Sequence, residues 1–121
     1  MHNERMPFKP AASLLPLTPT SFEILLALMQ GELHGYAILQ AVETRLSGRL
    51  PLRTGTMYRA LARLMDEGLI ERSGTSDDED PRRRNYRITP LGRETARAEA
   101  RRLADQVEAA RAHRLLPESK R

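Results

Sequence analysis

Apolar and polar residues alternate in different rhythms along this chain, and each rhythm predicts an element. From residue 18 the spacing is helical. Thr18 can cap a helix, and Pro19 suits the first helical position, where no N–H is needed. Phe22, Leu25, Leu26 and Met29 then form one stripe, which Ile24 and Leu28 widen until Gly31 ends it. So broad a stripe predicts a largely buried helix. A second helix is expected from residue 34 or 35 to residue 46. Its apolar face is Ile38, Val42 and Leu46 with Leu39 beside them, and Gly48 is its stop. A third is expected over residues 55–67, with Thr54 as cap and Gly68 as a left-handed stop. Its faces divide cleanly. Met57, Leu61 and Leu64 make an apolar stripe, while Thr56, Arg59 and Arg63 make a polar one with the small Ala62 beside it.

The period then drops to two. Residues 69–73 read as a strand closed by Gly74, and residues 84–89 alternate Tyr86 and Ile88 against Asn85 and Arg87. The charged stretch 75–83 joins them as a hairpin. Pro51-Leu52-Arg53, too short for a helix, is a candidate for one more short strand. Thr89-Pro90 repeats the cap-then-proline start, and a helical pattern follows to residue 116. That is roughly 26 residues, or about 39 Å at the rise of an α-helix. Ala96, Ala100, Leu103, Val107 and Ala110 form a seam in steps of four and three, a coiled-coil spacing that is thin and alanine-rich. Its other faces are crowded with Arg and Glu, so this helix suits pairing with a second copy of itself. Residues 1–17, with Pro7, Pro10 and Pro16, are expected as a mobile N-terminal arm, with Leu14, Leu15 and Leu17 resting on the body. The expected division is thus an arm over 1–17, a body over 18–89, a C-terminal helix over 90–116 and a tail over 117–121.

Three helices, a hairpin and a long helix describe a mainly α fold: a winged helix-turn-helix with a two-stranded wing and a long C-terminal dimerisation helix. In that architecture the third helix enters the major groove of double-stranded DNA and the wing reaches toward phosphate. Arg59 and Arg63 are then candidates for base or phosphate contacts, with Thr56 between them and the helix start. Arg53 and Thr54 could donate to phosphate at the helix N-terminus, where the dipole favours an anion; Thr54 could equally be only a cap. Tyr58 could touch DNA or pack half-buried, and Tyr36 could do either. Arg82, Arg83 and Arg84 would climb onto the second wing strand, near the backbone of the nucleic acid. Asp77, Asp78, Glu79 and Asp80 would occupy the wing tip. Two readings fit these acids. The preferred one is that they keep a flexible tip solvated; in the other they pair with the arginines and weaken nonspecific binding. Taken singly, each basic group could also be an ordinary solvated charge.

Composition narrows the options. A chain of 121 residues with 40% hydrophobic residues builds a modest core, the size for which a partner is a common aid to stability. The net charge of +4 favours an anionic partner, although both signs are abundant. With no cysteine, disulfides and thiolate metal sites are excluded, which fits a reducing cytoplasm. The apolar run from Ile24 to Met29 is too short to span a bilayer, and MHNERMPFKP has no signal-peptide core. No membrane partner is expected. His34 has no second ligand at metal spacing, since His2 and His113 are distant, so a polar helix start is the preferred role. No cofactor is expected. An enzyme is disfavoured as well: there is no cysteine nucleophile, no Ser-His-Asp arrangement with supporting glycines and no phosphate-binding loop.

HGYAI (34–38), GTMYRALARLMDEGLIE (55–71) and RRRNYRITPLGR (82–93) together resemble the PadR family of bacterial transcription regulators. The resemblance runs from residue 18 to about residue 110 in the right order, and the single long C-terminal helix is similar to the family's short branch. It implies a cytoplasmic homodimer joined through that helix and repression at a palindromic promoter site. It also implies, in some members, release from DNA by a small-molecule effector. Some members hold flat ligands between aromatic side chains at the dimer interface; here the C-terminal helix carries no aromatic residue. The rival from another class is a winged-helix protein-interaction module without specific DNA binding, which a weak dependence of DNA binding on salt would favour. An RNA binder fits less well, because no aromatic stacking surface is present.

Overall fold

The computed structural model describes residues 8–47, 49, 53–74 and 79–117. A 3-10 turn, Ala11–Leu14, leads into helix α1 (Pro19–Ala27), strand β1 (Leu33–His34) and helix α2 (Gly35–Leu46). Helix α3 (Thr54–Asp66), strands β2 (Ile70–Ser73) and β3 (Asn85–Ile88) and helix α4 (Pro90–Ala112) follow. The starts of α1 and α4 are those the cap-then-proline signature predicts. Thr18 Oγ1 accepts the Ser21 N–H at 3.1 Å, and Thr89 Oγ1 accepts the Gly92 N–H at 3.0 Å.

The core gathers one face of each helix against the sheet. Ile24, Leu25 and Leu28 of the α1 segment, Ile38 and Val42 of α2, and Met57, Leu61 and Leu64 of α3 are all buried. Each such aliphatic side chain contributes roughly 1.5–3 kcal/mol by leaving water. The inner face of α1 is therefore centred on Ile24 and Leu28, with Phe22 and Met29 at its edge. Glu23 and Arg45 clamp α1 to α2 through a two-pronged bridge of 2.7 and 2.9 Å. Helix α2 stops at Ser47, which takes a left-handed conformation with φ 50°; Gly48 lies outside the described residues.

Helix α3 begins one residue before its expected start. Arg53 occupies the cap position with extended backbone and no capping side-chain bond, so Thr54 is already helical and is not the cap. At its far end Gly68 has φ 78°, and the ring of Phe8 lies over it, 2.7 Å from where a Cβ would stand. Only glycine meets both conditions.

The sheet has three strands in the order β1-β3-β2, all antiparallel, rather than a two-stranded wing alone. Its third strand comes from Leu33 and His34, which pair with Tyr86 and Asn85, and not from the stretch at 51–53. Pro51 and Leu52 lie outside the described residues, and Arg53 is committed to the start of α3. Alternation on β3 holds as expected, with Tyr86 and Ile88 buried and Arg87 exposed. Arg87 Nε donates to Glu71 on β2 at 2.7 Å.

The two ends of the chain meet expectation differently. From Phe8 onward the N-terminal stretch lies against the body, as expected for Leu14 and Leu17. Ala11 is buried, and Leu14 and Leu17 pack on the core. Helix α4 is also two-sided along its length. Gly92, Thr95, Ala96 and Glu99 are buried in its first half, where it rests on α1 and the 3-10 turn. Ala96 thus belongs to this chain's own core and is removed from the predicted seam. Glu99, 2% exposed, is held by Arg102 at 2.9 and 2.8 Å and by the backbone of Leu17, and these bonds keep its carboxyl below the usual range. From Ala100 onward the helix is largely exposed.

Candidate nucleic-acid interface

Helix α3 is positioned by its apolar stripe. With Met57, Leu61 and Leu64 locked in the core, the opposite side of the helix has to face outward. Thr54, Gly55, Arg59, Ala62 and Arg63 are exposed there, and Thr56 is half-buried. Arg59 runs back along the first turn. Its Nη2 donates to Thr56 Oγ1 at 3.4 Å, and its Nη1 lies 3.4 Å from where a Gly55 Cβ would stand. Arg63 Nε donates to Glu67 at 3.3 Å, with the Arg63 side chain 67% exposed. Exposed pairs of this kind are worth roughly 0.3–0.5 kcal/mol, so an approaching phosphate or base can replace them. Arg53 is exposed at the N-terminal end, where the first N–H groups of the helix favour an anion.

The first turn of α1 comes alongside this face. Thr18, Thr20 and Ser21 line an open cleft of about 350 Å³ with Thr56, Arg59 and Arg63. The sequence assigns Thr18 only a capping role; nothing in its spacing signals that α1 begins beside α3.

The second basic region is built differently. Arg82 and Arg83 lie in a turn and Arg84 in a bend before β3, rather than on the wing strand. This turn is joined to the start of α2: Gly35 N–H donates to Arg84 O at 3.1 Å and Tyr36 N–H to Arg82 O at 3.2 Å. The approach is so close that a Cβ on Gly35 would collide with the Pro81 carbonyl. Gly35 therefore permits tight packing of the α2 start against the turn. Asp80 grips Arg82 with two side-chain bonds of 3.2 and 2.9 Å and accepts the Arg82 backbone N–H at 3.0 Å. Those bonds pull the Asp80 carboxyl down to about 2 and raise the Arg82 guanidinium. For Asp80, pairing with arginine replaces the solvated tip, while Glu79 pairs with Arg84 and stays exposed; Asp77 and Asp78 lie outside the described residues.

Two candidates from this region prove less available than expected. The Arg84 side chain is only 20% exposed and bonds to Glu79 at 3.3 Å and to the Tyr86 hydroxyl. It braces the turn. Tyr58 is half-buried, facing Pro81, Arg84 and Tyr86, and its hydroxyl is buried without a hydrogen-bond partner among the described residues. Burial raises its phenol above the ordinary range. The packing role weighed for Tyr58 is the one the fold displays. Tyr36 is exposed, in an open cleft with His34, Asp80, Arg82 and Arg83.

A three-helix unit, an outward basic face on its third helix and a wing pinned to the start of its second are thus in place. The sequence profile of the PadR-like transcriptional regulators matches residues 24–98. The chain belongs to the PadR-like family of transcriptional regulators. The motifs at 34–38, 55–71 and 82–93 all fall inside the match. A 37.1 kDa protein in transposon TN4556 of Streptomyces fradiae is 42% identical over 81 residues, 67% of this chain. The chain spans only 22% of that relative's length. Among solved structures, a transcriptional regulator from Clostridium thermocellum matches with a TM-score of 0.66 and 25% identity, over 77% of this chain and 87% of that one. Bacillus subtilis PadR in complex with operator DNA matches with a TM-score of 0.57 and 26% identity, over 69% of this chain and 47% of that one. No helix of the described residues is long and apolar enough to cross a membrane.

Proposed function

We propose that this PadR-like chain is a sequence-specific DNA-binding regulator that works as a homodimer and represses transcription at a palindromic promoter site. The observation that carries the reading is the two-faced α3: a fully buried apolar stripe opposite a face on which Arg59 and Arg63 are exposed and Thr56 is half-buried. Such a helix can press its outer side into the major groove while its inner side holds the domain together. Arg59 and Arg63 supply forked donors that match the O6 and N7 of guanine, and Arg53 and the helix start meet phosphate. The turn at 81–84 and the wing lie toward the flanking backbone. The structural likeness to a relative solved with operator DNA supports this assignment.

The dimer reading rests on the second half of α4. Ala100 is exposed, Leu103 and Ala110 are half-buried and Val107 is 39% exposed, so an apolar seam faces outward. A second copy laid on this seam buries it and relates the two α3 helices by a twofold axis, which a palindrome mirrors. Without an aromatic residue on α4, a small-molecule effector would need another kind of grip.

Selection of bound sequences from random duplex DNA tests the reading. The expected product is a palindrome with half-sites about one helical turn apart, bound with steep salt dependence. Recovery of no enriched sequence, with binding insensitive to salt, would instead favour a protein-interaction module. Val107→Glu tests the dimer, because an unpaired charge buried in the seam costs several kcal/mol. Light scattering should then give the monomer mass, with weak operator binding; an unchanged dimer mass refutes this interface.

A further inference from the structure

One acid sits among the arginines that face the DNA side of the wing, and its geometry is not that of a solvated tip. Asp80 takes two of the five N–H donors of Arg82, in the fork arrangement that a phosphate would also use. The pair is held in place from both sides. Arg82 O accepts the Tyr36 N–H at 3.2 Å, Arg83 N–H donates to Asp80 O at 2.9 Å, and the turn cannot back away from Gly35 without losing its seat on α2. The Arg82 side chain is nevertheless 59% exposed, at the edge of an open cleft of about 490 Å³ shared with His34, Tyr36 and Arg83.

We propose that Asp80 is a specificity-determining residue: it neutralises Arg82 in the unbound protein and so withholds that cation from DNA of arbitrary sequence. The inference rests on the DNA-binding reading above. Nonspecific affinity is almost wholly phosphate neutralisation with counterion release. An arginine already paired to a fixed carboxylate contributes little to that term, and the carboxylate itself repels the backbone. On the correct site the contacts of α3 hold the duplex in register. A phosphate beside Arg82 can then use its remaining N–H groups, adding to the Asp80 bridge instead of displacing it. Asp80 thus lowers binding to wrong sequences more than to the right one. Its carboxyl, drawn below the usual range by those bonds, is charged at neutral pH.

The test compares the parent, Asp80→Asn, Arg82→Ala and the double variant on the selected site and on a random duplex between 50 and 200 mM salt. Asparagine keeps one acceptor for the Arg82 backbone N–H while removing the charge and the second acceptor of the fork. Asp80→Asn should tighten random-DNA binding by roughly three- to tenfold and steepen the salt slope by about 0.9 per subunit. The selected site should gain less, so the ratio of specific to nonspecific binding falls. Adding Arg82→Ala should return random-DNA binding to the parent level. Arg82→Ala alone leaves the Asp80 carboxylate unpaired against phosphate, so random-DNA affinity should fall modestly with the salt slope near the parent's, a result independent of whether Asp80→Asn folds well. A folded Asp80→Asn protein with the parent's ratio and slope overturns the proposal. So does an Arg82→Ala protein that loses a full slope unit on random DNA while Asp80 is present. A parent that prefers no sequence overturns the DNA-binding reading first; a parent that selects its site while the charge variant changes nothing overturns this inference alone.

Discussion

Arg59 and Arg63 on α3 and Arg82 and Arg84 beside the wing carry the same charge, but the protein holds them in opposite ways. The α3 pair is tied by single long bonds of 3.4 and 3.3 Å to neighbours three and four residues away. The wing pair is held more tightly: Asp80 grips Arg82 with a fork, and Arg84, 20% exposed, is drawn in beside Tyr86. The difference follows from what positions each set. A helix fixed by its buried stripe needs nothing from its outer residues, so these are left available to a ligand. A turn with little apolar surface has to be fixed by its own polar groups, and those groups are then partly used up. Charge alone therefore does not measure what a surface offers to DNA; the partners already engaged do.

The largest effect expected from breaking this contrast is at Gly35. A methyl group there meets the Pro81 carbonyl, so Gly35→Ala should push the turn off α2 and loosen both of its backbone bonds. A cost of about 3 kcal/mol, typical of overpacking against an unyielding backbone, should appear in denaturant unfolding. DNA binding should weaken as well, although no basic residue has changed. An unchanged midpoint would mean that the turn is not seated on α2.

Next come the arginines of α3. Arg59→Ala and Arg63→Ala should each cost roughly 1–3 kcal/mol on a specific site. Stability should hardly move, because neither side chain belongs to the core. Thermal melts of the two variants beside the parent separate these effects. Arg84→Ala should behave in the reverse sense, losing stability at the turn more than it loses base discrimination.

The smallest effect is acid sensitivity. The folded Asp80 carboxyl lies at about 2, below its unfolded value near 4, so its contribution to stability is complete above pH 4. It should fade as pH falls from about 4 to about 2. Melting the parent and Asp80→Asn across that range should show their difference constant above the window and shrinking within it. A difference that stays flat down to pH 2 would mean the Asp80–Arg82 pair is not formed in solution.

Much of the fold is legible because it is local. Period-3.6 spacing places α1, α2 and α3, and Thr18-Pro19 and Thr89-Pro90 mark two helix starts to the residue. The two-faced character of α3 is readable too, since a single helix carries both faces. Features that need a distant partner are not. Leu33 and His34 are too few to show a period, and they form a strand only because β3 arrives beside them. Ala96 satisfies the seam spacing and the core spacing alike; which one wins depends on where α1 and the 3-10 turn lie. Arg82, Arg83 and Arg84 are equivalent as letters. A turn that points one at Asp80 and another at Tyr86 separates them, and the backbone of HGYAI sets that turn.

Sequence reading by this protein depends most on Arg59 and Arg63 of α3. That dependence is tested most directly by measuring the parent, Arg59→Ala and Arg63→Ala against the selected site and a set of its single-base variants. At least one substitution should abolish the preference at one position of each half-site, while the other positions keep theirs. If both variants weaken binding to every sequence equally, these arginines touch only phosphate. If neither weakens binding while both stay folded, α3 is not the recognition helix, and the DNA-reading account of this protein is contradicted.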